Sequence, residues 1–465
     1  MNFFSIEFSL LFLCFLAIYW SLKNYKHQNL LILAFNYTLI TALGNFYIAL
    51  VLLFYTIFIH FSALAIASYQ KRFLFLGSIA FAVLFLCFFK YYSSIKDFAI
   101  VFFSFMGFKD SQIDILMPFG ISFYTFASIT YLKWVYDGKI QGSAFNKNLQ
   151  SFEDLATYLS FFPTFISGPI MRADFFFGQF EKIRVWKPEN VNLIFMLLIF
   201  GIIKKIIIAS YLDIYVTEIL KNPSSFNMIE LLLGIYGYSI QIYCDFSGYV
   251  NLVCAFALMI GFKLPMNFNM PYIAKNLKDF WARWHISLST FIRDYIYIPL
   301  GGNKKGFFKT QLFVLISFCI SGIWHGNTIN FLVWGGLHGM GVIVVNCMQK
   351  FSINFHKIPL LSKLITFNFV TFCWIFFYYQ DFSQSLDFIY AFNNHLPITQ
   401  TNIILLLAGF IIFVAYQFCI NLDKLFVLHL GKIPNIIKPL YLIILLAVIF
   451  SIMPNGIPNF IYADF

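Results

Sequence analysis

The chain carries at residues 278–303 the stretch KDFWARWHISLSTFIRDYIYIPLGGN, which holds two Trp, two Arg, two Asp and one His. The residues around it are almost entirely apolar. A second histidine, His325, follows in SGIWHG between two further apolar stretches. Charged and imidazole groups at membrane depth are costly unless they are paired or line a wet cavity, so they mark functional sites. The pattern predicts a membrane enzyme built around a buried histidine.

The composition excludes a soluble globular protein. Of 465 residues, 60% are hydrophobic and only 11% are charged, with a mean hydropathy of +0.79, whereas a soluble chain carries about a quarter charged residues. The net charge of +11 does not indicate nucleic acid, because the Lys and Arg residues lie in short connections between apolar runs, as the positive-inside rule expects. The partner that the composition indicates is a lipid bilayer.

The apolar runs predict an all-α polytopic protein. A spanning helix needs about 20 residues, and the runs predict about eleven crossings with re-entrant or tilted pieces. Runs that can span, or nearly so, lie at 4–20, 30–43, 46–68, 73–89, 155–171, 191–210, 228–262, 311–324, 329–348, 361–380, 401–420 and 438–453.

Three Pro- and Gly-containing breaks, at 117–124, 161–172 and 297–306, interrupt apolar surroundings. Non-helical backbone at membrane depth survives only inside protein or beside a water-filled cavity, so the breaks predict a funnel or tunnel. No polar linker divides the chain. We therefore expect one membrane domain over residues 1–465, with N-terminal helices at about 1–110, a core at about 115–350 and C-terminal helices at about 360–465.

The N-terminal run has no basic region before it and no small-residue cleavage site, so it reads as a retained first helix. Basic residues follow the first run (Lys23, Lys26) and the third (Lys71, Arg72). If both connections are cytoplasmic, the N-terminus faces the periplasm. The eight cysteines stand singly, with no metal-ligand spacing, so no metal is expected, and no Walker loop, nucleophile elbow or HExxH motif occurs.

The block around His285 has two interpretations. Trp281, Trp284, Leu288 and Ile292 recur at helical spacing and predict one apolar helical face. An interfacial amphipathic helix with Trp and Arg anchors accounts for this pattern. A functional role of His285 accounts for it equally well.

His325 lies between apolar residues with no acidic residue nearby in sequence. A neutral imidazole is well suited to take a proton from a hydroxyl near pH 7. The alternative is a histidine that hydrogen-bonds a neighbouring helix. His338, in WGGLHG, is interpreted as structural. The glycines of both motifs permit close helix approach.

Asp245 lies inside an apolar run, in QIYCDFSGY. An ionised carboxylate there needs a cation, and Arg283 or Arg293 is the expected partner. The pair is either a structural brace or an element that orients the site.

The motifs quoted so far, together with LMPFGISFYTF (116–126), SGPI before Arg172, DFSGY (245–249) and PYIAKNL (271–277), resemble the membrane-bound O-acyltransferase (MBOAT) family. The resemblance is to its bacterial branch of alginate and peptidoglycan O-acetyltransferases and teichoic-acid D-alanyl transfer proteins. It covers about half the chain. Two departures stand out: Ala282 replaces the first Arg of the family's FWRRWHIS, and Asn251 replaces the Asp that ends DFSGYxD.

The resemblance implies acyl transfer from a cytoplasmic donor through a membrane tunnel to an extracytoplasmic acceptor. It makes His325 the catalytic histidine and His285 the second functional one. The C-terminal PNFIYADF is similar to the tail of alginate-type members, which makes Tyr462 a candidate acyl carrier. An aromatic interface anchor is the alternative there. The residues expected to shape the site are Asp245, Trp281, Arg283, Trp284, Arg293, Asp294 and Trp324.

From this resemblance we expect a multi-pass protein of the bacterial inner membrane that takes acetyl from acetyl-CoA, with no bound cofactor. A periplasmic transferase would pass the acetyl group to a cell-wall polysaccharide, with peptidoglycan favoured because the Phe, Ile, Lys and Asn bias suggests an AT-rich genome. Alginate or another exopolysaccharide, or D-alanyl transfer to teichoic acid, are the enzymatic alternatives. A proton-coupled transporter is the non-enzymatic one, although such a transporter usually shows inverted repeats.

Overall fold

The computed structural model describes residues 5–92, 96, 117–138, 148–352 and 358–454. Across these ranges the backbone forms helices and their connections, with no strand. The predicted all-α class is thus confirmed. The chain divides into two compact units, residues 1–188 with 256–265 and residues 189–255 with 266–465. The prediction of a single membrane domain stays a prediction.

The first unit is built from apolar helices that begin at polar caps. Ser5 and Asn45 each accept a hydrogen bond from the first turn of the helix that follows, which satisfies backbone N–H groups that lack a helical partner. Its helices are Ile6–Ser21, Tyr25–Leu43, Phe46–Tyr69, Arg72–Lys90, Ile121–Asp137, Phe152–Ser160, Phe162–Phe165 and Ala173–Phe180.

The second unit contains the long helix Met228–Met259, whose last four residues belong to the first unit. Its α-helices are Asn190–Ile202, Ser210–Lys221, Leu277–Trp281, Ile286–Ile292, Ile298–Leu300, Phe307–His325, Ile329–Lys350, Pro359–Tyr378, Phe382–Tyr390, Gln400–Tyr416, Leu422–Gly431 and Lys438–Ile452. Two π-helical stretches, Ile203–Ala209 and Arg293–Tyr297, continue the helices before them, and 3₁₀ turns occur at Pro223–Ser225, Pro271–Ile273 and Ala391–Asn393.

Within the described ranges, seven helical segments are long and apolar enough to cross a membrane. Three shorter apolar helices, Ile6–Ser21, Gln400–Tyr416 and Lys438–Ile452, accompany them. Many large apolar side chains on these helices are exposed, such as Ile411 and Ile443, as expected of surfaces that face lipid.

The run at 155–171 does not form a spanning helix. It is divided between helices Phe152–Ser160 and Phe162–Phe165 and a non-helical segment that contains Gly168. A Cβ on Gly168 would lie 2.3 Å from the carbonyl oxygen of Pro163, so the chain folds tightly back on itself here. The Pro and Gly residues at 161–172 thus end the helix, as their pattern predicted, and the apolar composition alone was misleading.

Candidate active site

His285 lies in a turn between two short helices. Helix Leu277–Trp281 ends before it and helix Ile286–Ile292 begins after it, and His285 itself has a left-handed backbone (φ 43°, ψ 53°). The single apolar helical face predicted through Trp281, Trp284, Leu288 and Ile292 is therefore wrong. Because His285 belongs to neither helix and has a left-handed backbone, the direction of its imidazole is not fixed by the axis of either helix.

Asn267 holds this turn in place. Its carbonyl oxygen accepts from the Ile286 N–H at 3.0 Å, and its side-chain Oδ1 accepts from the Ser287 N–H at 3.1 Å and the Ser287 hydroxyl at 2.8 Å. The same Oδ1 lies 3.3 Å from Nδ1 of His285. Since a backbone N–H can only donate, this atom of Asn267 is the amide oxygen, and Nδ1 of His285 must carry the proton. The Nε2 atom of a neutral His285 then bears the lone pair, as a base requires.

Burial keeps His285 neutral. The side chain is 1% exposed, and the ring of Phe246 meets its ring edge-on at a centroid distance of 4.9 Å. Because burial penalises the imidazolium, the pKa of His285 is lowered from 6.5 to about 3. The imidazole is therefore neutral across the physiological pH range.

His325 is the last residue of helix Phe307–His325 and begins the turn to helix Ile329–Lys350. The two helices pack very closely: a Cβ on Gly322 would lie 2.2 Å from the Phe331 carbonyl oxygen, and one on Gly335 would lie 2.4 Å from that of Phe318. This confirms the close helix approach that the glycines predicted. The hairpin holds His325 at its tip, 3% exposed.

Trp324 brings the two histidines together. Its ring centroid lies 4.6 Å from that of His325 and 6.5 Å from that of His285. Trp334 and Phe377 meet the other sides of His325 at 5.0 and 5.1 Å. Both predicted histidines thus lie beside one half-buried tryptophan in a cluster of aromatic rings, and the burial of both imidazoles limits the access of water to them.

Asp245 is paired with Lys205, and the expected pairing with Arg283 or Arg293 is wrong. The Lys205 ammonium donates to the Asp245 carboxylate, and both side chains are only 2% exposed. Lys205 lies in the π-helical stretch Ile203–Ala209. A Cβ on Gly248 would lie 2.9 Å from the Gly201 carbonyl oxygen, so two glycines let the helices approach closely enough for this contact. Phe246, which touches His285, directly follows Asp245 in the chain, so the pair lies on the helix beside that histidine.

The two arginines form local pairs instead. Nε of Arg283 donates to Oδ1 of Asp279 at 2.7 Å, and Nε of Arg293 donates to Oδ1 of Asp294 at 2.6 Å. Trp284 is fully buried, with its ring centroid 5.1 Å from that of Trp374. Of the predicted shaping residues, Trp284 and Trp324 thus lie among the buried aromatic rings, whereas Arg283 and Arg293 lie nearer the surface.

A basic cavity of about 500 Å³ lies in the second unit. Arg293, Lys304 and Lys305 contribute its positive charge, and Gly301 (φ 131°) and Gly302 (φ 54°) form its glycine turn. Positive φ at both positions favours glycine. Such a cavity can hold an anionic group such as a phosphate. Its full lining is Arg293, Tyr297, Ile298, Gly301, Gly302, Asn303, Lys304 and Lys305.

Sequence reasoning missed Asn267 and Lys205. The only signal for Asn267 is the Asn-Phe-Asn sequence between Pro265 and Pro271, which marks extended, capping-prone backbone. Lys205 is one of two adjacent lysines inside an apolar run, and a cation at membrane depth is itself a functional signal. The candidate acyl carrier, Tyr462, lies outside the described residues.

Comparison with known families agrees with this arrangement. The profile of MBOAT, the membrane-bound O-acyltransferase family, matches residues 137–383, just over half of the chain. The matched region contains Asn267, both histidines, the Lys205–Asp245 pair and the basic cavity.

Several relatives are similar over a comparable length. The peptidoglycan O-acetyltransferase of Helicobacter pylori is 34% identical over 69% of this chain and 64% of its own. The protein named "Probable alginate O-acetylase AlgI" of Pseudomonas putida is 35% identical over 57% of this chain and 52% of its own.

The teichoic acid D-alanyltransferase of Bacillus subtilis is 31% identical over 54% of this chain and 66% of its own. The chain thus matches between half and two thirds of the length of each of these relatives. Together with the family profile, which spans the site, they show that the chain belongs to the membrane-bound O-acyltransferase family.

Proposed function

We propose that this protein is a membrane O-acetyltransferase that moves acetyl from cytoplasmic acetyl-CoA across the bacterial inner membrane for O-acetylation of peptidoglycan. One observation carries the proposal. Within the region that matches the family, His285 and His325 are both buried, and both contact Trp324. Two buried imidazoles in one aromatic pocket are a costly arrangement that suits acid–base chemistry.

The chemistry proposed for His325 is general-base catalysis. Its imidazole takes the proton of the accepting hydroxyl while the hydroxyl oxygen attacks the thioester carbonyl carbon. The C–S bond then breaks, and the leaving thiolate takes the proton back from the imidazolium of His325. The accepting hydroxyl belongs to Tyr462 or to a periplasmic partner protein. His285 positions donor or acceptor through its Nε2 lone pair.

The basic cavity supports acetyl-CoA as the donor. Coenzyme A carries several phosphate charges, and Arg293, Lys304 and Lys305 supply cations around a cavity of about 500 Å³. Exposed cations at such an opening raise the local concentration of an anionic substrate. The lysines of this segment also favour the cytoplasmic side of the membrane for the cavity, and with it a periplasmic N-terminus.

Peptidoglycan is favoured as the polymer by the extent of the similarity. The Helicobacter pylori peptidoglycan O-acetyltransferase aligns over 69% of this chain, against 57% for the Pseudomonas putida protein and 54% for the Bacillus subtilis D-alanyltransferase. Alginate acetylation is the second candidate, favoured by the similarity of the C-terminal tail to that of alginate-type members. A periplasmic transferase is the expected partner in both cases.

The test is transfer of labelled acetyl from acetyl-CoA in proteoliposomes, with and without a periplasmic extract. We expect label on the protein or on peptidoglycan fragments for the wild type and none for His325→Ala. His429→Ala is the matched control, because His429 is exposed in the same unit, and it should keep wild-type transfer. Transfer that survives His325→Ala would refute the assigned base.

Tyr462→Phe separates the two acceptors. Loss of protein-bound label in this variant, with His325 intact, would identify Tyr462 as the carrier. Label that persists would assign the hydroxyl to another acceptor. Label on alginate oligomers and not on peptidoglycan fragments would show that alginate, and not peptidoglycan, is the acetylated polymer.

A further inference from the structure

His338 lies at the centre of a cluster of buried rings with polar atoms. The side chain is 0% exposed. Its ring centroid lies 5.0 Å from that of Trp281, 4.9 Å from Trp334 and 6.3 Å from Trp374. Trp334 also contacts Trp281 at 5.8 Å and Trp374 at 6.1 Å. We call these four residues the His338 cluster.

The cluster has more hydrogen-bond donors than acceptors. Neither imidazole nitrogen of His338 and none of the three indole N–H groups has a hydrogen-bond partner among the residues that the structure describes. An indole nitrogen can only donate, and a neutral imidazole donates once and accepts once. The four side chains therefore offer four donors and one acceptor in a buried location. Leaving a buried donor without an acceptor is unfavourable, and packing alone does not explain why four such donors lie close together.

The surroundings specify a neutral acceptor. Besides the cluster itself, the rings that contact His338 are those of Phe280, Phe318 and Phe369. Among the described residues, no ion pair and no cation over a ring involves the cluster, so an anion would be buried there without a counter-charge, which is costly. A carbonyl oxygen accepts two hydrogen bonds and carries no charge. It is the group that fits.

The cluster also adjoins the catalytic histidine. Trp334 contacts both histidines: its ring centroid lies 4.9 Å from that of His338 and 5.0 Å from that of His325. Because Trp334 contacts both histidines, a carbonyl held beside its indole N–H lies near His325. This position suits the reactive end of a donor and not its charged, phosphate-bearing end, for which the basic cavity offers cations.

We propose that His338 and one of the indole N–H groups around it, from Trp281, Trp334 or Trp374, donate the two hydrogen bonds that the carbonyl oxygen of the acyl thioester accepts near His325. The proposal rests on the function proposed above. It assigns a substrate-binding role to a histidine that the sequence alone suggested was structural. It also gives the cluster a specificity: the cluster recognises the thioester carbonyl of the acylated donor, which the product thiol lacks.

The test compares the affinity of acetyl-CoA with that of CoA in the His325→Ala background, in which the thioester is not consumed. Because one or two hydrogen bonds to the carbonyl are at stake, we expect acetyl-CoA to bind about tenfold more tightly than CoA. In His338→Phe, which keeps a planar ring without nitrogen, this preference should fall to near one, while the affinity for CoA stays the same. His338→Gln, which can still donate, should retain most of the preference.

The outcomes separate this proposal from the proposed function. If His338→Phe keeps the preference for acetyl-CoA over CoA, or loses affinity equally for both ligands, the carbonyl site is wrong. Acetyl-CoA would remain the proposed donor in either case. If the protein binds neither acetyl-CoA nor CoA, acetyl-CoA is excluded as the donor as well. If His338→Phe does not fold, Trp281→Phe removes one donor and keeps an aromatic ring, and a smaller loss of preference is expected. With 5-fluorotryptophan incorporated, acetyl-CoA but not CoA should shift the fluorine resonances of Trp281, Trp334 and Trp374. Equal shifts with both ligands would contradict the proposal.

Discussion

Replacing Lys205 with methionine should strongly destabilise the second unit. The Lys205 and Asp245 side chains are 2% exposed, so the variant leaves a buried carboxylate without this ammonium partner. Removing one member of a buried ion pair costs about 3–5 kcal/mol. At about 2 °C per kcal/mol for a unit of this size, the midpoint of thermal unfolding should fall by about 6–10 °C. The assay is thermal unfolding in detergent, followed by size-exclusion chromatography of the surviving folded fraction.

The exposed pair Lys133–Asp137 is the matched control. Its side chains are 43% and 52% exposed, and such surface pairs contribute at most about 1 kcal/mol. Lys133→Met should therefore leave the midpoint nearly unchanged. The double variant Lys205→Met/Asp245→Leu removes both buried charges and should regain most of the lost stability.

The same variants decide whether Asp245 braces the site or orients it. If stability and acetyl transfer return together in the double variant, the pair is a brace. If stability returns without transfer, the carboxylate orients the site. A Lys205→Met protein as stable as Lys133→Met would refute the reasoning, because it would mean that the buried carboxylate does not need the lysine.

Further predictions concern the turn, the hairpin and the cavity. Asn267→Ala should reduce transfer by at least about tenfold while donor affinity holds, because Nδ1 of His285 loses the acceptor that fixes its tautomer; unchanged transfer would contradict that role. The pKa of His285 is about 3 in the folded protein and about 6.5 in the unfolded chain. Because the unfolded chain therefore binds more protons below pH 6.5, the stability of the fold should decrease as the pH falls from about 6.5 to about 3. The thermal midpoints at pH 7.5 and pH 5 should differ less in His285→Asn than in the wild type. Gly322→Ala should cost about 1–3 kcal/mol, measured as a lower thermal midpoint, whereas Gly336→Ala, with open space around its Cβ, should not. Lys304→Gln should raise the KM for acetyl-CoA roughly fivefold at low salt, and the difference should shrink at high salt; a KM insensitive to both would exclude the cavity as the donor site.

Local patterns in the sequence predicted the all-α class and most of the helices, whereas the roles of the two histidines stay predictions. Apolar runs give spanning helices because length and hydropathy decide that outcome without reference to the rest of the chain. The glycines near His325 predicted close packing because only a residue without a Cβ permits it.

The parts that depend on distant residues could not be predicted. The left-handed conformation of His285 is stabilised by Asn267, which lies 18 residues upstream. The partner of Asp245 is 40 residues upstream, where a π-helical stretch sets the direction of Lys205, and no periodicity reveals such a stretch. The excess of hydrogen-bond donors around His338 arises because the fold brings three tryptophans from separate segments into contact with it, which no local pattern predicts.

The hairpin that carries His325 has a consequence for how the protein is made. Its two apolar helices are joined by only residues 326–328, and basic residues flank both outer ends, Lys304 and Lys305 before the first helix and Lys350 at the end of the second. By the positive-inside rule we expect both ends to stay in the cytoplasm, so the two helices should enter the bilayer together, with the tip leading. During biosynthesis His325, the proposed base at the tip, should thus cross the membrane in the same insertion step that forms the hairpin. A ribosome stalled just after His325 should hold a nascent chain whose tip has not yet been translocated.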